Sequence, residues 1–229
     1  MQDKSVLLLG IGNVLWADEG FGVRCIEALH QHYTFPNHVT LMDGGTQGIY
    51  LVQHVQAADI LVVFDAIDYG LEGGTLKIIE DNDVPSFMGA KKMSLHQTGF
   101  QEVLATTQLL DSYPEKILLI GVQPVELEDY GGSLRPAVKA QIQPAIQIAM
   151  EYLAQLGVNA TPRATPLLDH EHLSPSQLAL AQYEAGRPSE QAACRVGDER
   201  ILINQAFQFD PKPTLIEHTI NVNVDSRRP

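Results

Sequence analysis

Val6-Leu7-Leu8-Leu9-Gly10-Ile11-Gly12-Asn13 is the stretch that decides the fold. Four apolar residues in a row leave no polar face, which is the pattern of a strand covered on both sides, and the glycine pair and Asn13 then turn the chain. Working outward, Asp18 is placed to cap a helix whose apolar positions Val23, Ile26, Leu29 and Tyr33 recur at spacings of three and four. Pro36-Asn37 breaks that helix. Residues 39–42 read as a second strand ending in Asp43-Gly44-Gly45, 49–55 as a short helix, and 60–64 as a third strand stopping at Asp65. Strand and helix in alternation predict parallel pairing with right-handed crossovers. The expected fold is α/β, a three-layer sandwich with a mostly parallel central sheet and helices on both faces.

Farther along, 75–79 is a weaker strand pattern, and Ser94-Leu95-His96-Gln97 has the form of a capping box opening a helix to about Leu110. Residues 117–122 form a clean buried strand. A last core helix carries Val138, Ile142, Ile146, Ala149 and Leu153 on one face, with a kink expected at Pro144 and an end at Gly157. From Thr161 prolines are spread through a segment with little periodicity. The expected organisation is an α/β domain over 1–160 and a proline-rich, partly ordered tail over 161–229, with a helical turn or two at 178–183 and a short extended piece at 200–203.

Composition limits the function. Of 229 residues, 45% are hydrophobic and 19% charged, enough apolar material for a folded core. The formal net charge is -13, and residues 1–160 hold 8 Lys and Arg against 19 Asp and Glu. So acidic a body repels phosphate backbones, which argues against nucleic acid and favours cations or basic peptides as partners. Two cysteines, Cys25 and Cys194, make no disulfide framework, which suits a reducing, cytoplasmic setting. No stretch reads as a signal peptide or membrane span, so no membrane insertion is expected. The protein is expected to be a monomer.

In an open parallel sheet the binding site lies beyond the carboxyl ends of the strands, where the strand order reverses. Glu19 follows the first strand, Asp65 closes the third, and His96 stands in the first turn of the helix opened by Ser94. A 2-1-3 strand order would bring Glu19 and Asp65 together. Two carboxylates and an imidazole suit a borderline divalent ion with open positions. The bland alternatives are a dipole-favoured carboxylate for Glu19, a turn cap for Asp65 and a loop histidine for His96. A helix N-terminus opposes a nearby cation, yet it also favours the neutral imidazole that ligates metal.

Other patterns carry less. Gly10-Ile11-Gly12 begins a dinucleotide fingerprint, but its sixth position is Leu15; Asp43 at the end of the second strand keeps a nicotinamide-dependent oxidoreductase as an alternative. P-loop, zincin and serine-hydrolase signatures are missing. His170-Glu171-His172 reads as a solvated polar run in the tail, and Cys25 as packing.

The run Gly10-Ile11-Gly12-Asn13-Val14-Leu15-Trp16-Ala17-Asp18-Glu19-Gly20-Phe21-Gly22-Val23-Arg24 resembles the opening of the nickel-iron hydrogenase maturation endopeptidases. Asp43-Gly44-Gly45-Thr46, Val63-Phe64-Asp65-Ala66, Ser94-Leu95-His96-Gln97 and Gly121-Val122-Gln123-Pro124 resemble that family's later blocks, in order. The resemblance covers about residues 5–160. Parts of 183–198 are similar to a tail in the branch serving membrane-bound uptake hydrogenases, whereas most of the family ends near 160. The resemblance implies an endopeptidase that removes the C-terminal extension of the hydrogenase large-subunit precursor after nickel insertion. It further implies that Glu19, Asp65 and His96 bind the metal and carry the cleavage, with Asp43 a candidate for substrate recognition. Nickel would arrive with the client, and the isolated protein could hold an adventitious divalent ion. A nickel-sensing chaperone that does not cut remains the alternative from another class.

Overall fold

The computed structural model describes residues 4–84, 95–165, 167 and 171–187, with the backbone alone at 95–98. Strand β1 (Val6–Ile11) is buried along its whole length because it has a parallel neighbour on each side. β3 (Val39–Gly45) pairs on one side, Val6 opposite Val39, and β4 (Ile60–Ala66) on the other, Val6 opposite Ile60. β6 (Lys116–Val122) extends the sheet from β4 in parallel, and β5 (Leu76–Glu80) closes that edge antiparallel to β6. The order is β3-β1-β4-β6-β5. The chain therefore reverses direction across the sheet at β1, with β3 and β4 as its two neighbours, which is the 2-1-3 arrangement that makes the strands preceding Glu19 and bearing Asp65 adjacent.

Alternate strand residues face opposite ways and build two cores. Leu8, Val62, Leu118 and Ile120 pack with Phe21, Ile26 and Leu29 of α1 (Phe21–His32) and with Ile146 and Leu153 of α5 (Ile142–Gln155). Leu7, Leu9, Val63 and Leu119 pack on the other face with Val55 of α2 (Val52–Val55) and Phe100 and Leu104 of α3 (Leu95–Leu109). Three layers result. Each fully buried aliphatic side chain contributes roughly 1.5–3 kcal/mol, so β1 and β4, buried on both faces, anchor the molecule.

Two local expectations are corrected. Asp18 does not cap α1: the chain enters it through a 3-10 turn, Ala17–Gly20, and neither helix start has a side-chain cap. Its carboxylate is committed to another loop, described below. Pro144 does not kink the last helix either. The break comes earlier, between the short α4 (Pro136–Lys139) and α5, and Pro144 falls in the first turn of α5, where a backbone N–H has no helical partner to lose.

Beyond residue 160 the described chain is fastened to this body. β7 (Thr161–Pro162) pairs antiparallel with β2 (Tyr33–Thr34), and the Arg163 guanidinium donates to the His30 and Tyr33 carbonyls at 3.2 Å each. A 3-10 turn, Ser176–Leu178, leads into α6 (Leu180–Gly186). Arg24, 3% exposed, donates to the Leu178 carbonyl at 2.5 Å and to Glu27 at 2.7 Å, and its guanidinium lies 5.6 Å from the Tyr183 ring centre. Glu184 accepts from Lys139 at 2.7 Å and from Ser133 at 2.9 Å. The expected extended piece at 200–203 lies outside the described residues. Among the described residues, no helix is long and apolar enough to cross a membrane.

Candidate active site

Glycine brings the first helix onto the strands. A Cβ on Gly22 would stand 2.1 Å from the Phe64 carbonyl oxygen and 2.4 Å from that of Ile11, so α1 lies directly on the backbones of β1 and β4. Glu19 is three residues before Gly22, and Asp65 is next after Phe64. Close packing therefore sets both carboxylates at the carboxyl ends of adjacent strands. Gly12, at φ 128°, closes the loop between them: a Cβ there would reach 1.8 Å from the Glu19 carbonyl oxygen.

Asp65 is fully buried and sits opposite Gly121 in the β4–β6 register. Tyr69 reaches over the same spot, since a Cβ on Gly121 would collide with its hydroxyl oxygen at 1.8 Å. Burial, and then the Asp65 charge, push the Tyr69 phenol well above its ordinary range, so it stays a neutral donor. Lys77 stands over the Tyr69 ring, 5.1 Å from its centre. The loop carrying Tyr69 is pinned by the buried Gln123, whose Oε1 accepts from the Tyr69 and Leu71 N–H groups at 2.7 and 3.1 Å.

Asp43 lies opposite Gly10, and its Oδ1 accepts the Gly45 N–H at 2.9 Å. Burial above all raises its carboxyl, with the Gly45 N–H pulling the other way and Glu27 adding to the rise against Arg24. His96 stands in the first turn of α3. That end of the helix is held near the 3-10 turn after β3, Gly48–Leu51, because a Cβ on Gly99 would come within 3.2 Å of the Gly48 Cα. Its imidazole lies outside the described side chains.

Asp43 and Asp65 thus stand near the carboxyl ends of β3 and β4, Glu19 in the turn that follows β1, and His96 at the start of α3. Carboxylate oxygens joined by one imidazole are a donor set that fits a borderline divalent ion. Among the described residues, no three His, Cys, Asp or Glu are gathered into a metal-holding group. This includes His172 and Glu171 of the polar run; His170 lies outside the described residues. Cys25 is buried in the core and its thiol is pushed up by that burial, as a packing residue requires.

Asp18 is the residue that motif reasoning misplaced. It is fully buried, and its carboxylate accepts backbone N–H groups from Val125 and Glu126 at 2.8 and 2.9 Å and from Arg135 at 2.6 Å. The Asp18 N–H donates to the Glu126 carbonyl at 3.1 Å. The loop that presents Glu19 is thereby clamped to the loop after β6. Only the adjacency of an acid to Glu19 hinted at this, because its partners are more than 100 residues away in sequence.

A three-layer α/β protein with acidic residues beyond the carboxyl ends of its central strands is the class that fold and site define. The family described as hydrogenase maturation protease matches residues 23–152. The hydrogenase expression/formation protein HoxM of Azotobacter vinelandii is 61% identical over 92% of this chain and 100% of its own. The hydrogenase 2 maturation protease of Escherichia coli is 40% identical over 69% of this chain and 96% of its own. The solved structure of the hydrogenase maturating endopeptidase HybD from Escherichia coli superposes with a TM-score of 0.67 at 39% identity, covering 70% of this chain and 98% of that one. The chain belongs to the hydrogenase maturation protease family. That membership leaves the oxidoreductase alternative without support.

Proposed function

We propose that this protein is an endopeptidase that removes the C-terminal extension of a nickel-iron hydrogenase large-subunit precursor once nickel is in place. Glu19, Asp65 and His96 would complete the coordination of the nickel the client brings, so that cleavage waits for loading. Asp43, beside the start of β1's glycine loop, would contact the client chain. The observation that carries this is the packing of Gly22 on the Phe64 and Ile11 carbonyls, which sets the segments bearing Glu19 and Asp65 beside each other beyond the neighbouring strands β1 and β4.

Nickel held between the client's ligands and these side chains supplies a positive charge that polarises the scissile carbonyl or acidifies a water. The chain's own residues orient the rest. Asp65 is fixed by its burial in β4, whereas Glu19 is half-exposed on a loop. One of these carboxylates accepts the proton of the attacking water. The Tyr69 phenol, kept protonated by its burial and by the Asp65 charge, lies over Gly121, the residue opposite Asp65. With Cys25 buried and protonated, direct attack by water is favoured over an acyl-enzyme.

The test is the mass of nickel-loaded precursor before and after incubation, beside nickel-free precursor and a His96→Ala variant. Loss of a C-terminal peptide only with nickel and only with His96 supports the proposal. An unchanged mass with correctly loaded cognate client, under wild-type protein, would replace it by the non-cutting nickel-sensing chaperone.

A further inference from the structure

The loops after β1, β4 and β6 form one fastened ledge beside Glu19. Gly73 lies so close to Val125 that a Cβ would come within 2.5 Å of its Cγ2. The Gly74 N–H donates to the Gln123 carbonyl, and the Gln123 N–H to that of Thr75, each at 2.8 Å. Trp16 meets the Tyr130 ring edge-on with centroids 5.2 Å apart, and the Gly131 N–H donates to the Leu15 carbonyl at 2.7 Å. Asp18 joins the two sides from within.

This well-tied backbone presents side chains with nothing to cover them. Leu71, Val125 and Tyr130 are 47%, 55% and 63% exposed. Glu72 and Glu128 are exposed beside them and Glu126 is half-exposed. Among the described residues none of these three glutamates has an ion pair. The loops 12–19, 67–75 and 123–135 hold seven acids and one cation, Arg135, a formal charge of -6 (one minus seven) out of the chain's -13. Arg135 is already paired to Asp129 at 2.8 Å. Exposed apolar groups rimmed by charge of a single sign are the anatomy of a docking surface, and that sign selects its partner.

We propose that this ledge docks a basic stretch of the client polypeptide, Lys or Arg beside apolar side chains, next to the bond to be cut. Apolar contact at Leu71, Val125 and Tyr130 supplies affinity, and the three glutamates supply selection and a fast, salt-sensitive encounter. The inference rests on the protease proposal for the identity of the client. It adds where the client sits and what chemistry recognises it.

Calorimetric binding of nickel-loaded large-subunit precursor to the full chain, at two ionic strengths, is the test. Two ledge variants are compared with wild type: Glu72→Lys with Glu128→Lys, and Leu71→Ser with Val125→Ser. A control pair, Leu109→Ser at the end of α3 with Glu102→Lys within it, makes the same kinds of change away from the ledge. Thermal melts verify that every variant folds. Each ledge variant should raise Kd at least tenfold, the charge variant should lose most of the salt dependence, and the control should stay within twofold. Ledge variants that bind within twofold of wild type, or a control that loses as much, overturn the ledge while a cutting wild type leaves the protease proposal standing. A wild type that binds without cutting overturns the protease proposal, and the Kd comparison still decides the ledge. A wild type that does not bind overturns both.

Discussion

Asp18 shows what one side chain can hold together. A buried carboxylate accepting three backbone N–H groups leaves all three unsatisfied when it is removed, and each such donor costs about 1–3 kcal/mol. Asp18→Ala is therefore expected to destabilise the fold by about 3 kcal/mol or more, read as a lower urea midpoint, and to abolish precursor cleavage because Glu19 is its neighbour. Gly22→Ala acts differently. Its Cβ would press on the Phe64 and Ile11 carbonyls, and overpacking of this kind costs about 1–3 kcal/mol. Cleavage should fall by more than that loss explains, since a displaced α1 shifts the preceding turn that bears Glu19; a variant that is destabilised but cuts at the wild-type rate would refute this account of the site.

Acid sensitivity has an assignable source. Asp59 is held below the ordinary carboxylate range by the Ser5 backbone N–H first and then the Ser5 hydroxyl, at 2.7 and 2.9 Å. A depressed pKa in the folded state means that the unfolded chain binds the proton more readily. The stability from Asp59 is then complete above the unfolded value near 3.8 and is lost as pH falls through the lower folded one. Asp59→Asn should be less stable than wild type at pH 6, and the two should converge as pH drops from about 4 to 2. Urea midpoints across that range measure it, and a constant gap would exclude Asp59 as a source.

At the level of elements, the fastening of α6 and its preceding turn to α1 and α4 depends on few contacts. Arg24 is the central one, because its guanidinium is nearly buried and serves Glu27, the Leu178 carbonyl and the Tyr183 ring together. Truncating one member of such a buried pair costs about 3–5 kcal/mol. In Arg24→Ala the cost should fall locally: limited proteolysis within 165–187 should speed up at least tenfold while the sheet stays protected from hydrogen exchange. Equal proteolysis rates in wild type and variant would show that the segment is held by other contacts. α3 was legible as an element from its capping-box pattern. The split between α4 and α5 was not, since the periodic apolar face runs through both and only the backbone shows where it turns.

For the whole molecule, the solved HybD structure superposes on 70% of this chain while using 98% of its own, so a shorter chain carries the same fold. A chain cut after residue 160 is accordingly expected to melt cooperatively, but at a lower temperature than the full chain, because it loses the β2–β7 pairing and the Arg24 contacts. Differential scanning calorimetry reads both points. A single broad, non-cooperative transition would mean that residues beyond 160 complete the core.

What the linear sequence determined was whatever depends on local periodicity and composition. Unbroken apolar runs marked β1, β4 and β6, a glycine turn ended the first, and the placing of polar residues beyond strand ends nominated Glu19, Asp65 and His96, with Asp43 added by the family resemblance. Parallel pairing followed from the alternation of strand and helix with right-handed crossovers, whereas the order around β1 was set by the tertiary structure. Tertiary structure decided the rest. It pressed Gly22 onto the Phe64 carbonyl, set Tyr69 over Gly121 beside Asp65, and brought the Asp18 carboxylate to N–H groups more than 100 residues away. Those contacts arise from close packing between distant segments, and periodicity along a chain holds no record of which distant backbone groups will meet.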